Sequence, residues 1–155
     1  MSEQSRTVKY PAVPAGDVLS DDGTFIPPGG GPATPTARAI QAVMREPQGS
    51  TLPVGTHVDL IVPYDLTLDV TASWLIRAPA NCSVVLDVQR ATVAAPGTFA
   101  SIAAAAKPTL SSDNYASGAM TGWSPSLLAG ETVRIVVESA SGTSECSLAI
   151  PAEDA

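Results

Sequence analysis

The stretch "LTLDVTASWLI", residues 66–76, alternates apolar and polar residues without a break. Leu66, Leu68, Val70, Ala72, Trp74 and Ile76 fall on one face, and Thr67, Asp69, Thr71 and Ser73 on the other. A period of two places successive side chains on opposite faces of an extended chain, so the pattern predicts a long, half-buried β-strand. The same period recurs on both sides. "HVDLIVP" precedes it across a "PYD" corner, where Pro63 and Asp65 suit a turn. "CSVVLDV" follows after "RAPAN" and turns Val84, Leu86 and Val88 inward. "TVRIVVES" does the same with Val133, Ile135 and Val137, and "CSLAI" with Cys146, Leu148 and Ile150. Short strands separated by turn signals, with no helices between them, predict an all-β fold. The expected form is an antiparallel β-sandwich, jelly-roll-like, over residues 51–151, with 152–155 as a C-terminal tail.

The front of the chain is built differently. Residues 1–36 hold Pro11, Pro14, Pro27, Pro28, Pro32 and Pro35, with Gly16, Gly23 and Gly29 to Gly31. Proline removes backbone donors and glycine is entropically costly to fix, so neither helix nor sheet is expected to persist there. The segment reads as an extended, Pro/Gly-rich N-terminal arm that needs another surface to order it. Phe25 and Ile26, followed by Pro27 and Pro28, offer that surface an apolar plug. Residues 37–50 read as one short helix and a linker. Thr36 is a suitable cap for "ARAIQAVMRE", alanines favour the helix, and Ile40, Val43 and Met44 form a short stripe. A helix of about ten residues is marginal unless that stripe packs on something.

Composition removes several function classes. The chain has 155 residues, one domain by length, and 15 acids against 8 bases leave it at −7. Its cations are scattered, so nucleic-acid binding, which rests on neutralising phosphates, is not expected. No apolar run approaches the ~20 residues of a spanning helix, so membrane insertion is not expected either. "MSEQSRTVKYPAVP" has no apolar core of the secretory kind, so no secretory signal is expected.

Convergent chemistry is equally sparse. His57 and Asp59 point the same way from one strand, yet a lone histidine near a sheet edge is ordinary surface. Asp59, Asp69 and Asp87 are carboxylates expected on the wet face. The sequence contains no nucleophile elbow, P-loop or dinucleotide fingerprint. The expectation is a protein without enzymatic activity, cofactor or metal. Cys82 and Cys146 both lie on inward phases, which suits either two buried free thiols or a disulfide. Residues 94–130 form the longest loosely patterned connection, where Tyr115 and Trp123 are candidates for stacking on a glycan. Trp123 suits a core or rim anchor first and a glycan contact second, and Trp74 is in phase with the buried face of its strand.

The β region also resembles a known family. "WLIRAPANCSVVLDVQRA", "AKPTLSS", "MTGWSPSLLAGETVRIVVESA" and "CSLAI" follow one another in an order similar to that of a small β domain of tailed-bacteriophage structural proteins. The likeness covers residues 66–150 and departs from the pattern at Gln89 and Glu131. "LSDDGTFIPPGGG", residues 19–31, is similar to a run near junctions in phage tail-fibre proteins. The resemblance implies a virion component, assembled in the host cytoplasm: a fibre, spike or decoration subunit on head or tail. Its partners would be other virion proteins and sister copies, with a homotrimer favoured. In that setting the arm docks onto the particle while the sandwich projects outward and aids attachment to the host surface. The alternative from another class is a carbohydrate-binding module that recognises host glycans.

Overall fold

The computed structural model describes residues 36–155, and before them only the backbone of two short strands, β1 (Val18–Leu19) and β2 (Phe25–Ile26). The chain divides into two compact units, Met1–Thr34 and Pro35–Ala155. Within the first, β1 pairs antiparallel with β2, Val18 opposite Ile26 and Leu19 opposite Phe25. The expectation of no pairing there is corrected by these two rungs. Pro27 and Pro28 lie outside the described residues.

The second unit is all-β and antiparallel, with no helix among the described residues. Its strands are β3 (Ala37–Arg45), β4 (His57–Ile61), β5 (Leu66–Leu68), β6 (Ser73–Ala91), β7 (Ala100–Ser101), β8 (Thr109–Ala119), β9 (Ser126–Leu127), β10 (Thr132–Ser141) and β11 (Glu145–Asp154). All nine belong to one sheet.

β6 organises that sheet. It runs for 19 residues, well beyond the ~3–10 of an ordinary strand. One edge is taken by β11 at Leu75–Arg77 and by β10 at Ser83–Ala91; the other carries β8 and then β7. Two groups of strands therefore share one backbone. The "RAPAN" segment, expected as a turn, lies inside β6, where the pairing with β8 lapses between Arg77 and Cys82. Pro79 lacks an amide to donate, so it is tolerated at such an irregularity.

The opening stretch in turn holds two strands rather than one. β5 ends at Leu68, and the Asp69 carboxylate accepts from both the amide and the hydroxyl of Thr71, at 3.1 and 2.5 Å. Ala72 N–H donates to the Asp69 carbonyl at 3.0 Å, closing the turn. Asp69 prefers such side-chain-to-backbone turns, which override a strand pattern. Val70, expected inside, is 42% exposed as a result.

The expected helix at residues 37–46 is also corrected. β3 pairs with β11 over nine rungs, from Ala37 opposite Glu153 to Arg45 opposite Glu145. A ten-residue segment fits both periods: Ile40, Val43 and Met44 make a helical stripe, whereas Ile40, Ala42 and Met44 make a strand face. The strand face is the one packed, with Ala42 and Met44 buried and Val43 58% exposed. Ladder pairing here outweighs the alanine propensity. The folded body consequently begins before residue 51, and β11 extends to Asp154 through most of the expected tail. Likewise "TLSSDNYASGA", expected within a loose connection, is β8.

Side chains from both groups meet in one core, including Met44, Leu68, Ile76, Leu86, Ile135, Leu148 and Ile150. Trp74 sits at its rim, opposite Gly118 of β8. A Cβ at residue 118 would come within 2.4 Å of the indole ring, so only glycine leaves space for it. Gly118→Ala should lower stability by about 1–3 kcal/mol through overpacking. Urea titration followed by Trp fluorescence checks this; an unchanged midpoint and slope would show that the ring moves aside freely.

Candidate functional site

The two groups of strands present very different outer faces. On the second (β4, β10 and the later half of β6), the connection between residues 92 and 107 lies against the sheet. Asp87, expected on a wet face, is only 3% exposed beneath it. Its carboxylate accepts from Ser101 Oγ at 2.6 Å and Gln89 Nε2 at 2.9 Å, and Lys107 Nζ stands 3.6 Å away. Lys107 also pairs with Glu138, at the register shift between Val137 and Ser139. A bulge re-aims a side chain in this way. Nearby, the Arg134 guanidinium lies 3.7 Å from the centre of the Phe99 ring. Where β6 and β10 meet, this face is covered by the protein's own chain, while β4 leaves Ile61 exposed at its edge.

Other candidate groups prove to be separate. Arg134 grips both oxygens of Asp59 at 2.7 and 2.8 Å, and that hydrogen bonding holds the Asp59 carboxyl below the usual range. His57 Nδ1 instead lies 3.0 Å from the Gly55 carbonyl. Asp59, Asp69 and Asp87 each have their own partners in different places. Among the described residues, no group of three or more His, Cys, Asp or Glu could hold a metal ion. Glu131, one of the two departures from the family pattern, is buried, accepts from Leu128 N–H at 2.9 Å and lies 3.8 Å from Arg90.

The outer face of the first group is open. Cross-strand register sets Val43, Ser147, Arg77 and Tyr115 side by side on β3, β11, β6 and β8. The next rung carries Gln41, Ala149, Leu75 and Ser117. Small residues on central β11 make a floor, and larger ones on its neighbours make walls. The resulting trough has a volume of about 360 Å³. Tyr115 is 52% exposed, Leu75 41% and Val43 58%, three apolar surfaces on one sheet face. Arg77 lies among them without a carboxylate within 4.0 Å among the described residues.

Of the two aromatic candidates, Tyr115 therefore reaches solvent and Trp123 does not. Trp123 is 5% exposed and its indole N–H donates to the Ala106 carbonyl at 3.0 Å, so no glycan ring can stack on it. It pins the 92–107 connection instead. Residues missed in the sequence are Gln41, Val43, Leu75 and Arg77. The period-two signal was present at 74–77, but β3 and β8 had to be recognised as strands before their rungs could be aligned.

Cys82 and Cys146 are buried free thiols. Burial pushes the Cys146 thiol up to about 12, and its neighbour Cys82 adds to the shift. Cys82 is also raised by burial, against a hydrogen bond with Thr143 that lowers it.

No family model and no curated protein matches the chain. Among solved structures, it is similar to one described as the structure of infectious bursal disease virus Gx strain. That likeness has 13% sequence identity and a TM-score of 0.31. It covers 94% of this chain, which spans 38% of the length of the other.

Both thiols should resist a disulfide-exchange reagent at pH 8 in the folded protein, because the thiolate is the reactive form. Unfolding in guanidinium without reductant should release two equivalents per chain. Release of none would show a disulfide, and fast reaction in buffer would contradict the burial.

Proposed function

We propose that this protein is a structural subunit of a virus particle, of the phage fibre, spike or decoration kind. Residues 1–34 form its docking segment, and Pro35–Ala155 its outward-projecting body. The observation that carries this reading is the division of the chain into two units at residue 34, where the composition also changes. The body fills a core from its own strands, with side chains drawn from Ala42 to Ala152. The preceding segment is rich in proline and glycine, a composition that orders best on a partner surface. Phe25 and Ile26 are its apolar anchor, and Pro27 and Pro28 stiffen the chain beyond them. The order of motifs over residues 66–150 supports assignment of the body to the small β domain of tailed-phage structural proteins.

In this reading the nine strands close as a jelly-roll-like sandwich, the two groups stacked face to face and joined along β6. The particle's other proteins and sister copies, as a trimer, are the partners. The second reading, recognition of host glycans, is favoured by the exposed Tyr115 on an open sheet face.

Removal of residues 1–34 tests the docking role. The shortened protein should unfold cooperatively within a few degrees of the full chain but be missing from purified particles when it replaces the full chain in assembly. Incorporation at the normal level would overturn the docking role, and loss of cooperative unfolding would overturn the independence of the body.

A further inference from the structure

We infer that the trough on the outer face of β3, β11, β6 and β8 binds a saccharide bearing a carboxylate, with Arg77 as the residue that selects the acid. The inference rests on the glycan-recognition reading proposed above and gives it a ligand class.

Charge pairing is the first observation. Arg38, Arg45, Arg90, Lys107 and Arg134 each stand within 4.0 Å of a carboxylate oxygen of the protein. Arg77 is the exception among the described residues, in a chain with nearly twice as many acids as bases. The acid that lines the adjoining hollow, Glu145, is already engaged by Arg45 at 2.5 Å. A guanidinium is a planar fork of donors that matches a carboxylate in two parallel hydrogen bonds. A lone cation within a net charge of −7 suits a singly charged group better than a multiply charged phosphate.

The setting of Arg77 is the second observation. On its own rung Tyr115 offers an exposed ring on one side and Ser147 a hydroxyl on the other. Leu75, Val43 and Gln41 complete the trough. Sugars present C–H faces and hydroxyls in alternation, and an aromatic ring flanked by short polar groups answers both. The volume of about 360 Å³ is at the small end of ligand sites, which run from roughly 300 to 1,000 Å³. A protein partner would need about 800 Å² from each side, whereas the apolar surface here is three side chains interrupted by polar ones.

The groove between β3 and β4 lacks this combination. Its cation, Arg38, is held by both oxygens of Asp154 at 3.0 and 3.2 Å, and Tyr64 lies 5.6 Å from the same guanidinium.

The test uses the full chain, labelled with nitrogen-15, titrated with sialyllactose and with a glucuronate-containing disaccharide. Lactose and the carboxyl-reduced disaccharide are the neutral comparisons, and sulfated lactose the comparison for a different anion. At least one carboxylated sugar should shift the amide signals of Gln41, Arg77, Tyr115 and Ser147. Reducing the carboxyl, or Arg77→Gln, should weaken binding about 10- to 100-fold, the loss expected for a charge-assisted hydrogen bond. Tyr115→Ala should weaken neutral and acidic sugars alike. Arg134→Gln, on the other group of strands and outside the trough, should leave affinity unchanged.

The inference is overturned if no carboxylated sugar shifts these signals, if the neutral or sulfated forms bind as tightly, or if Arg77→Gln binds like the parent. It is also overturned if sedimentation shows a dimer that Arg77→Gln dissociates, because the face would then belong to a second copy. None of these results touches particle incorporation, so the docking role would still stand on its own assay.

Discussion

The long strand β6 is the constraint on which the rest depends. Every strand residue other than proline carries one backbone donor and one acceptor in the plane of the sheet, and buried groups of this kind must be paired. Over 19 residues that obligation exceeds what one neighbour on each side supplies in this sheet. β11 takes one end of the edge and β10 the other, while β8 and β7 share the opposite edge. The core then follows: Trp74, Ile76 and Ala78 from the first half and Val84, Leu86 and Val88 from the second join one apolar cluster. A change at either end of β6 is felt by both groups of strands.

Much of this was legible because one face of each strand is buried, which imposes a period of two. The inward sets on β6, β10 and β11 were readable from alternation alone, and all are buried. The reading failed where local chemistry competes with the pattern. Asp69 makes a turn with Thr71 inside an alternating run. Pro79 looks like a terminator, yet β6 passes through it at a lapse in pairing. The segment 37–46 satisfies helical and extended periods equally, and only the nine rungs to β11 decide between them. No local signal encodes a ladder whose other strand lies some hundred residues away.

The candidate site was less legible than the core, for a related reason. A binding face is assembled from single side chains on four strands, and its members become neighbours only after register is known. Tyr115 was visible as an aromatic residue in a polar stretch. Arg77, whose neighbours come from three other strands, was not. Asp87 shows the opposite error. The 92–107 connection covers what the pattern left open to solvent, making it a buried carboxylate with hydrogen-bonding partners. A connection that packs back onto a sheet changes which residues meet water without changing the alternation.

Native-state hydrogen exchange along β6 tests most directly whether one strand unites the body. If it does, hydrogen-bonded amides on either side of Asn81 exchange only by global unfolding, with the same opening free energy and the same dependence on denaturant. If the amides before Asn81 opened at a lower free energy than those after it, the two groups of strands would be separate cooperative units, and β6 would not be the element that joins them.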